Sequence, residues 1–196
     1  MTAPALRGIV AVVSGPSGVG KTTVIDRLLA RPGYARSITA TTRPARRGEK
    51  DGVHYLFLSR ERFEEEAGKG RFLEHATVHG NLYGTPREEV EKVLARGAVC
   101  LLNIDVQGAE ALRRSGMPVV TVFLLPPSME ELERRLASRG TEDPAQKARR
   151  LAIAMKEMTE AERFDARVVN RDLDGTVEEV ARLVERRMEA ARGARP

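Results

Sequence analysis

The sequence predicts an α/β fold in which a central parallel sheet is flanked by helices, and three observations carry that expectation. Apolar, β-branched runs at residues 9–13, 99–104, 119–125 and 166–169 are unbroken by polar alternation, as strands covered on both faces require. Stretches of helical period lie between these runs, and alternation of strand with helix implies right-handed crossovers. A glycine-rich segment joins the first apolar run to the first helical stretch, at the C-terminal end of a strand, where ligands of such sheets gather.

Taken in order, residues 9–13 give the first strand, and 23–30, with Val24, Leu28 and Leu29 in register, the first helix. From residue 37 to about 83 the pattern changes. The chain is rich in Thr, Arg and Gly as far as Leu58, alternates briefly at Tyr55 and Phe57, and turns helix-like near 60–67. This segment reads as a small inserted subdomain with a mixed or antiparallel sheet. Thr85, Pro86 and Glu88 offer an N-cap, a proline at the first helical position and a capping-box glutamate. After the strands at 99–104 and 119–125, Ser128 with Glu131 opens a helix carrying Leu132 and Leu136. Residues 139–148 read as a polar, mobile flap between two helices. The strand 166–169 leads to a last helix over 176–192, with Thr176 and Glu179 as its capping box and Val177, Val180, Ala181, Val184 and Met188 on one stripe.

A chain of 196 residues fits one domain with a core of its own. The expected division is a core of about 8–36 and 84–190, an insertion of about 37–83 and a lid of about 139–148. With 41% hydrophobic and 31% charged residues the composition is that of a globular protein. A formal net charge of +5 suits an anionic partner. Eight aromatic residues without Trp give no stacking platform for bases, so small phosphorylated ligands fit better than nucleic acid. The single cysteine, Cys100, stands in an apolar run; it reads as a buried thiol and points to a reducing cytoplasmic location. The apolar run at 9–13 is too short for a leader or a membrane span.

Residues Gly15, Pro16, Ser17, Gly18, Val19, Gly20, Lys21 and Thr22 match G-x-x-x-x-G-K-[ST], with the strand before and the helix after that this phosphate-binding loop requires. Glycines let consecutive amides point into one concavity, and the helix N-terminus adds its dipole. Lys21 supplies a charge for the β- and γ-phosphates, and the Thr22 hydroxyl can enter a magnesium shell. The loop names a triphosphate partner and no particular reaction. Asp105, at the end of the run 99–104, stands where a carboxylate approaches magnesium, or where it merely caps a loop.

A second anion site is suggested by Arg43 and Arg46, three apart on a Pro- and Gly-broken segment, with Tyr55 adding a hydroxyl. Two planar guanidinium forks can converge on one phosphate, which suits a monophosphate acceptor. His75 and His79 lie four apart, but no third ligand accompanies them and the order is not H-E-x-x-H, so zinc is not expected.

With these residues in view the chain resembles the guanylate kinases. The loop GPSGVGKT, the segment TTRPARRGE followed by Gly52 and Tyr55, Phe72-Leu73-Glu74, the run 80–85, Ile104-Asp105-Val106-Gln107-Gly108, the run 139–142 and Val169-Asn170 match that family's motifs in order and spacing, over about residues 8 to 187. The resemblance implies a P-loop kinase that uses ATP and Mg2+ to phosphorylate GMP, and dGMP, with a GMP-binding insertion and a mobile lid. It implies that Arg43, Arg46, Tyr55 and Tyr83 hold the GMP phosphate, that Glu74, Thr39 and Thr85 read the guanine, and that Arg135, Arg139 and Arg150 close on the phosphates beside Lys21. Thr22 and Asp105 would serve the metal. Guanine offers N1–H and N2–H₂ donors side by side, which one carboxylate can accept together, whereas adenine's N1 is an acceptor.

Two positions depart from the family pattern. Asn103 replaces an acidic residue, and the proline after the first phosphate arginine stands one place early, at Pro44. Two alternatives remain: a related P-loop kinase acting on another phosphorylated acceptor such as a ribosyl phosphate, and an inactive guanylate-kinase-like interaction module. Lys21 and Thr22 argue against the module; Glu74, Tyr83 and Thr85 argue against the other acceptor.

Overall fold

The apolar run near the start of the chain becomes strand β1 (Ile9–Ser14), every residue of which is buried. The structure, a computed structural model, describes residues 6–78, 80–137 and 144–193. After β1 come α1 (Lys21–Leu29), β2 (Tyr34–Arg36), β3 (Thr39–Thr41), β4 (Tyr55–Phe57), α2 (Arg60–Gly68), β5 (Phe72–Val78), β6 (Asn81–Pro86) and α3 (Arg87–Ala95). The second half holds β7 (Val99–Leu102), α4 (Val106–Arg114), β8 (Val119–Leu125), α5 (Met129–Ala137), α6 (Pro144–Thr159), a 3₁₀ turn (Ala161–Arg163), β9 (Ala166–Val169) and α7 (Leu173–Gly193).

Among the described residues five strands form the central sheet in the order β2-β7-β1-β8-β9, and each neighbouring pair is parallel. β1 therefore lies in the middle, and its alternate residues feed two cores. Ile9, Ala11 and Val13 pack with Val24, Ile25 and Leu28 of α1 and Val177, Val180 and Val184 of α7. Val10 and Val12 pack on the other face with Val90 and Leu94 of α3, Leu112 of α4, Phe123 and Phe164. Burial on both faces explains why these strands read as continuous apolar runs. Each fully buried Val or Leu contributes roughly 1.5–3 kcal/mol.

The second sheet, in the order β4-β3-β6-β5, is mixed: β3 and β4 are parallel, while β6 runs antiparallel to β3 and β5. It extends through Pro86, three residues past the expected boundary at 83. No described helix is long and apolar enough to cross a membrane.

The structure corrects several local expectations. Residues 139–143, the first half of the expected flap, lie outside the described residues, while 144–148 are helical in α6. Proline is pre-set for a first helical position, and the Ala, Gln, Lys and Arg that follow favour a helix. α7 begins three residues before Thr176, because Asp172 accepts the Gly175 amide at 2.7 Å and aspartate caps at least as well as threonine. The Thr176 hydroxyl instead donates inward, to Asp172 O at 2.7 Å and Asn170 Oδ1 at 3.0 Å. α3 begins at Arg87 with Pro86 at its N-cap and no side-chain cap; the Thr85 hydroxyl is engaged elsewhere. β7 stops at Leu102, two residues short of the predicted strand.

Candidate active site

The phosphate loop grows out of the C-terminal end of β1 and runs into α1. Gly20, the N-cap of α1, has φ 102°, a left-handed value that disfavours any side chain. A Cβ there would also stand 2.6 Å from Asn170 Nδ2. Asn170 is buried, and Nδ2 donates to Val19 O at 2.8 Å while Thr176 fixes its Oδ1. The loop is thus strapped from the segment between β9 and α7. Arg135 of α5 reaches the same place: its fork lies 3.4 Å from Val19 O and 3.3 Å from Asn170 O, with Nε held by Glu131 at 2.7 Å. Lys21 Nζ donates to Gly15 O at 2.5 Å and Pro16 O at 3.0 Å, so its charge folds over the loop's own carbonyls. Gly15, Lys21, Asp105 and Gln107 line a cavity of about 470 Å³.

A second cavity, about 380 Å³, opens between the two sheets. Thr22, Thr39, Tyr55, Glu74, Tyr83, Thr85 and Asp105 all line it. Glu74 on β5 and Thr85 on β6 are paired in register, and the Thr85 hydroxyl donates to Glu74 Oε1 at 2.5 Å. Burial pushes the Glu74 carboxyl up, the Thr85 hydrogen bond opposes this, and the Asp105 charge adds to the rise. Close packing of α4 onto β5 is possible because residue 108 is glycine; a Cβ there would stand 3.2 Å from the Ile104 side chain and 3.3 Å from Glu74 Oε2. Asp105 is the N-cap of α4, its Oδ1 accepting the Gly108 amide at 2.8 Å.

Arg43 lies beside this cleft. Its guanidinium carbon stands 5.3 Å from the centre of the Tyr55 ring, and Tyr55 and Tyr83 meet edge to face at 6.5 Å. Both Arg43 fork nitrogens pair with Glu49 at 2.9 Å, and that ion pair together with Tyr83 raises its pKa further. Glu49 also accepts the Arg46 amide at 2.7 Å, and the Arg43 hydrogen bond foremost lowers its own pKa. The Arg46 side chain is exposed. Arg139 and His79 lie outside the described residues, and of Arg150 only the backbone, in α6, is described.

Four features escaped the reading of the sequence. Arg36 lines the second cavity, Glu49 holds Arg43, Asn170 straps the loop, and Glu157 faces the first cavity. Glu49 belongs to the quoted TTRPARRGE segment, so its spacing from Arg43 could have suggested the pair. Asn170 stands in the Val169-Asn170 match, but its work as a strap depends on Val19, 151 positions away; nothing local marks Arg36 or Glu157.

The two cavities share a wall, Asn103, Ile104 and Asp105. A strand–loop–helix phosphate cradle on a parallel sheet, with a second polar cleft across one shared wall, defines a P-loop kinase. The guanylate kinase family model matches residues 7–187. The guanylate kinase of Symbiobacterium thermophilum is 49% identical over 91% of this chain and 85% of its own, and that of Rubrobacter xylanophilus 47% identical over 92% and 95%. The crystal structure of guanylate kinase from Anaplasma phagocytophilum superposes with a TM-score of 0.70 at 37% identity, covering 92% of this chain and 86% of that one. The chain belongs to the guanylate kinase family.

Proposed function

We propose that this protein transfers the γ-phosphoryl group of ATP to GMP, giving ADP and GDP, and that it accepts dGMP as well. The observation that carries the reading is the shared wall: a phosphate held at Lys21 and an acceptor held beside Tyr55 and Glu74 face one another across Asn103–Asp105. Phosphoryl transfer needs alignment and charge neutralisation more than covalent help. The loop amides from Gly15 to Thr22 take the ATP phosphates, and Lys21 with Arg135, joined by Arg139 and Arg150, balances charge on the transferring group. No general base is required, since the GMP phosphate is already an anion.

On the acceptor side, Arg43, Arg46, Tyr55 and Tyr83 hold the phosphate of GMP, and Thr39, Glu74 and Thr85 read the base. Thr85 already donates to one Glu74 oxygen, which aims the carboxylate while leaving lone pairs for guanine N1–H and N2–H₂. Magnesium suits the donor set, because the Thr22 hydroxyl and the Asp105 carboxylate line one cleft and this ion keeps several waters beside few protein oxygens. When bound it would neutralise charge between the phosphates. The insertion of about 37–83 is then the GMP-binding unit. A buried thiol at Cys100 fits work in the reducing cytoplasm, with ATP and GMP rather than nucleic acid or membrane as partners.

A coupled assay of ADP release with GMP, dGMP, AMP, CMP, UMP and ribose phosphates tests the reading. Turnover is expected with GMP and dGMP only. Equal rates with AMP would overturn the role given to Glu74, and no turnover with GMP would overturn the function.

A further inference from the structure

Glu157 on α6 is a carboxylate for which the transfer step has no use, yet it stands in the donor cavity with Gly15, Lys21 and Asp105. Its Oε2 is shielded from solvent and accepts no hydrogen bond among the described residues. Burial pushes the carboxyl's pKa up and Asp105 adds to the rise, while the Lys21 charge and the Ser17 amide draw it down. A shielded carboxylate without a full set of partners costs stability. Here the groups that offset this cost are a loop amide and the loop lysine, the same two kinds of donor that suit a phosphate oxygen.

We propose that Glu157 is a resident stand-in for a donor phosphate: its carboxylate holds the mouth of the cradle, and a nucleoside di- or triphosphate displaces it on binding. The proposal rests on the ATP:GMP reading above. A site that is partly self-occupied binds its ligand less tightly than the open cradle, and a carboxylate ready to return favours departure of ADP. The acceptor cleft, on the far side of Asn103–Asp105, takes no part in this exchange.

Calorimetric titration of the full chain with ADP, and separately with GMP, tests the idea in the parent and in Glu157→Gln. Removing the charge is expected to tighten ADP binding by roughly three- to tenfold, as for one charge near an anion site in a partly screened environment, with the GMP constant within about twofold of the parent. Glu157→Asp, which keeps the charge, should stay near the parent, and Glu157→Met is the second neutral variant should the Gln form fail to fold. Neutral variants that bind ADP no more tightly, or more weakly, overturn the proposal. GMP phosphorylation by the parent is measured in the same preparations, so loss of the stand-in idea and loss of the kinase reading give different results.

Discussion

The two pockets are built from different materials. The donor cradle is backbone, rooted in a strand buried from Ile9 to Ser14 and tied at Val19 O by Asn170. The acceptor cleft is side chain, carried by short strands of the second sheet, where every residue of β4 is only partly buried. Amides recognise phosphate through position alone, so their pocket needs rigidity. Base reading needs particular donors and acceptors, so its pocket needs side-chain variety. The cradle should therefore fail through geometry and the cleft through chemistry.

The largest test of that contrast is Lys21→Ala, which removes the one side-chain charge the cradle contributes. A fall in kcat of roughly 10²–10³, the scale for a lost electrostatic contact to developing charge, is expected, with the melting temperature near that of the parent. Next, Glu74→Ala should lower kcat/KM for GMP by roughly ten- to a hundredfold, since it leaves guanine donors and Thr85 unpaired, while ADP affinity by titration is unchanged. A matching loss of ADP binding would show that the two pockets are not separable.

Gly20→Ala should act on stability. Its left-handed backbone and the 2.6 Å approach to Asn170 Nδ2 should cost about 1–3 kcal/mol, read as a melting temperature lower by several degrees.

A pH series separates the pockets more finely. Burial holds the Glu74 carboxyl above the ordinary glutamate range, and guanine needs it ionised, so GMP affinity is full above the raised pKa and falls as pH drops through it. The folded protein also binds this proton more readily than the unfolded chain does, so the carboxyl's own contribution to stability has the opposite sign and is lost as pH rises. The smallest effect is a control at Cys100 on β7, a thiol fully buried in the core. Burial pushes its thiol up to about 12, and iodoacetamide should label it only after unfolding.

Legibility in the sequence followed the range of the forces involved. β8 could be read to the residue, because burial on both faces writes a near-continuous apolar run; β9, an edge strand in which only Val168 is buried, was read to the same bounds from Val168 and Val169. The phosphate loop was legible because a lysine and glycines at fixed spacing have few other uses. β2 was not: three residues, Tyr34–Arg36, form a strand only because β7 lies beside them. Thr85 shows the same limit. Its Thr-Pro-x-Glu context reads as a helix start, yet across the sheet Glu74 competes for the hydroxyl and wins. Asp105 was read both as a metal approach and as a loop cap; the cap on Gly108 is in the structure, and the first remains a proposal. The motif glycine at 108 was matched by resemblance, but its reason, contact with Ile104 and Glu74, exists only once α4 has docked.

The Asn170–Val19 bond spans 151 positions, and this has a temporal consequence. A growing polypeptide emerges with its nucleotide loop first and the amide that steadies that loop near the end. Until β9 has joined the sheet and α7 has closed over α1, the newborn chain carries the complete loop sequence without the support that shapes it. The shape of the loop is therefore completed only after the last strand and the last helix are in place.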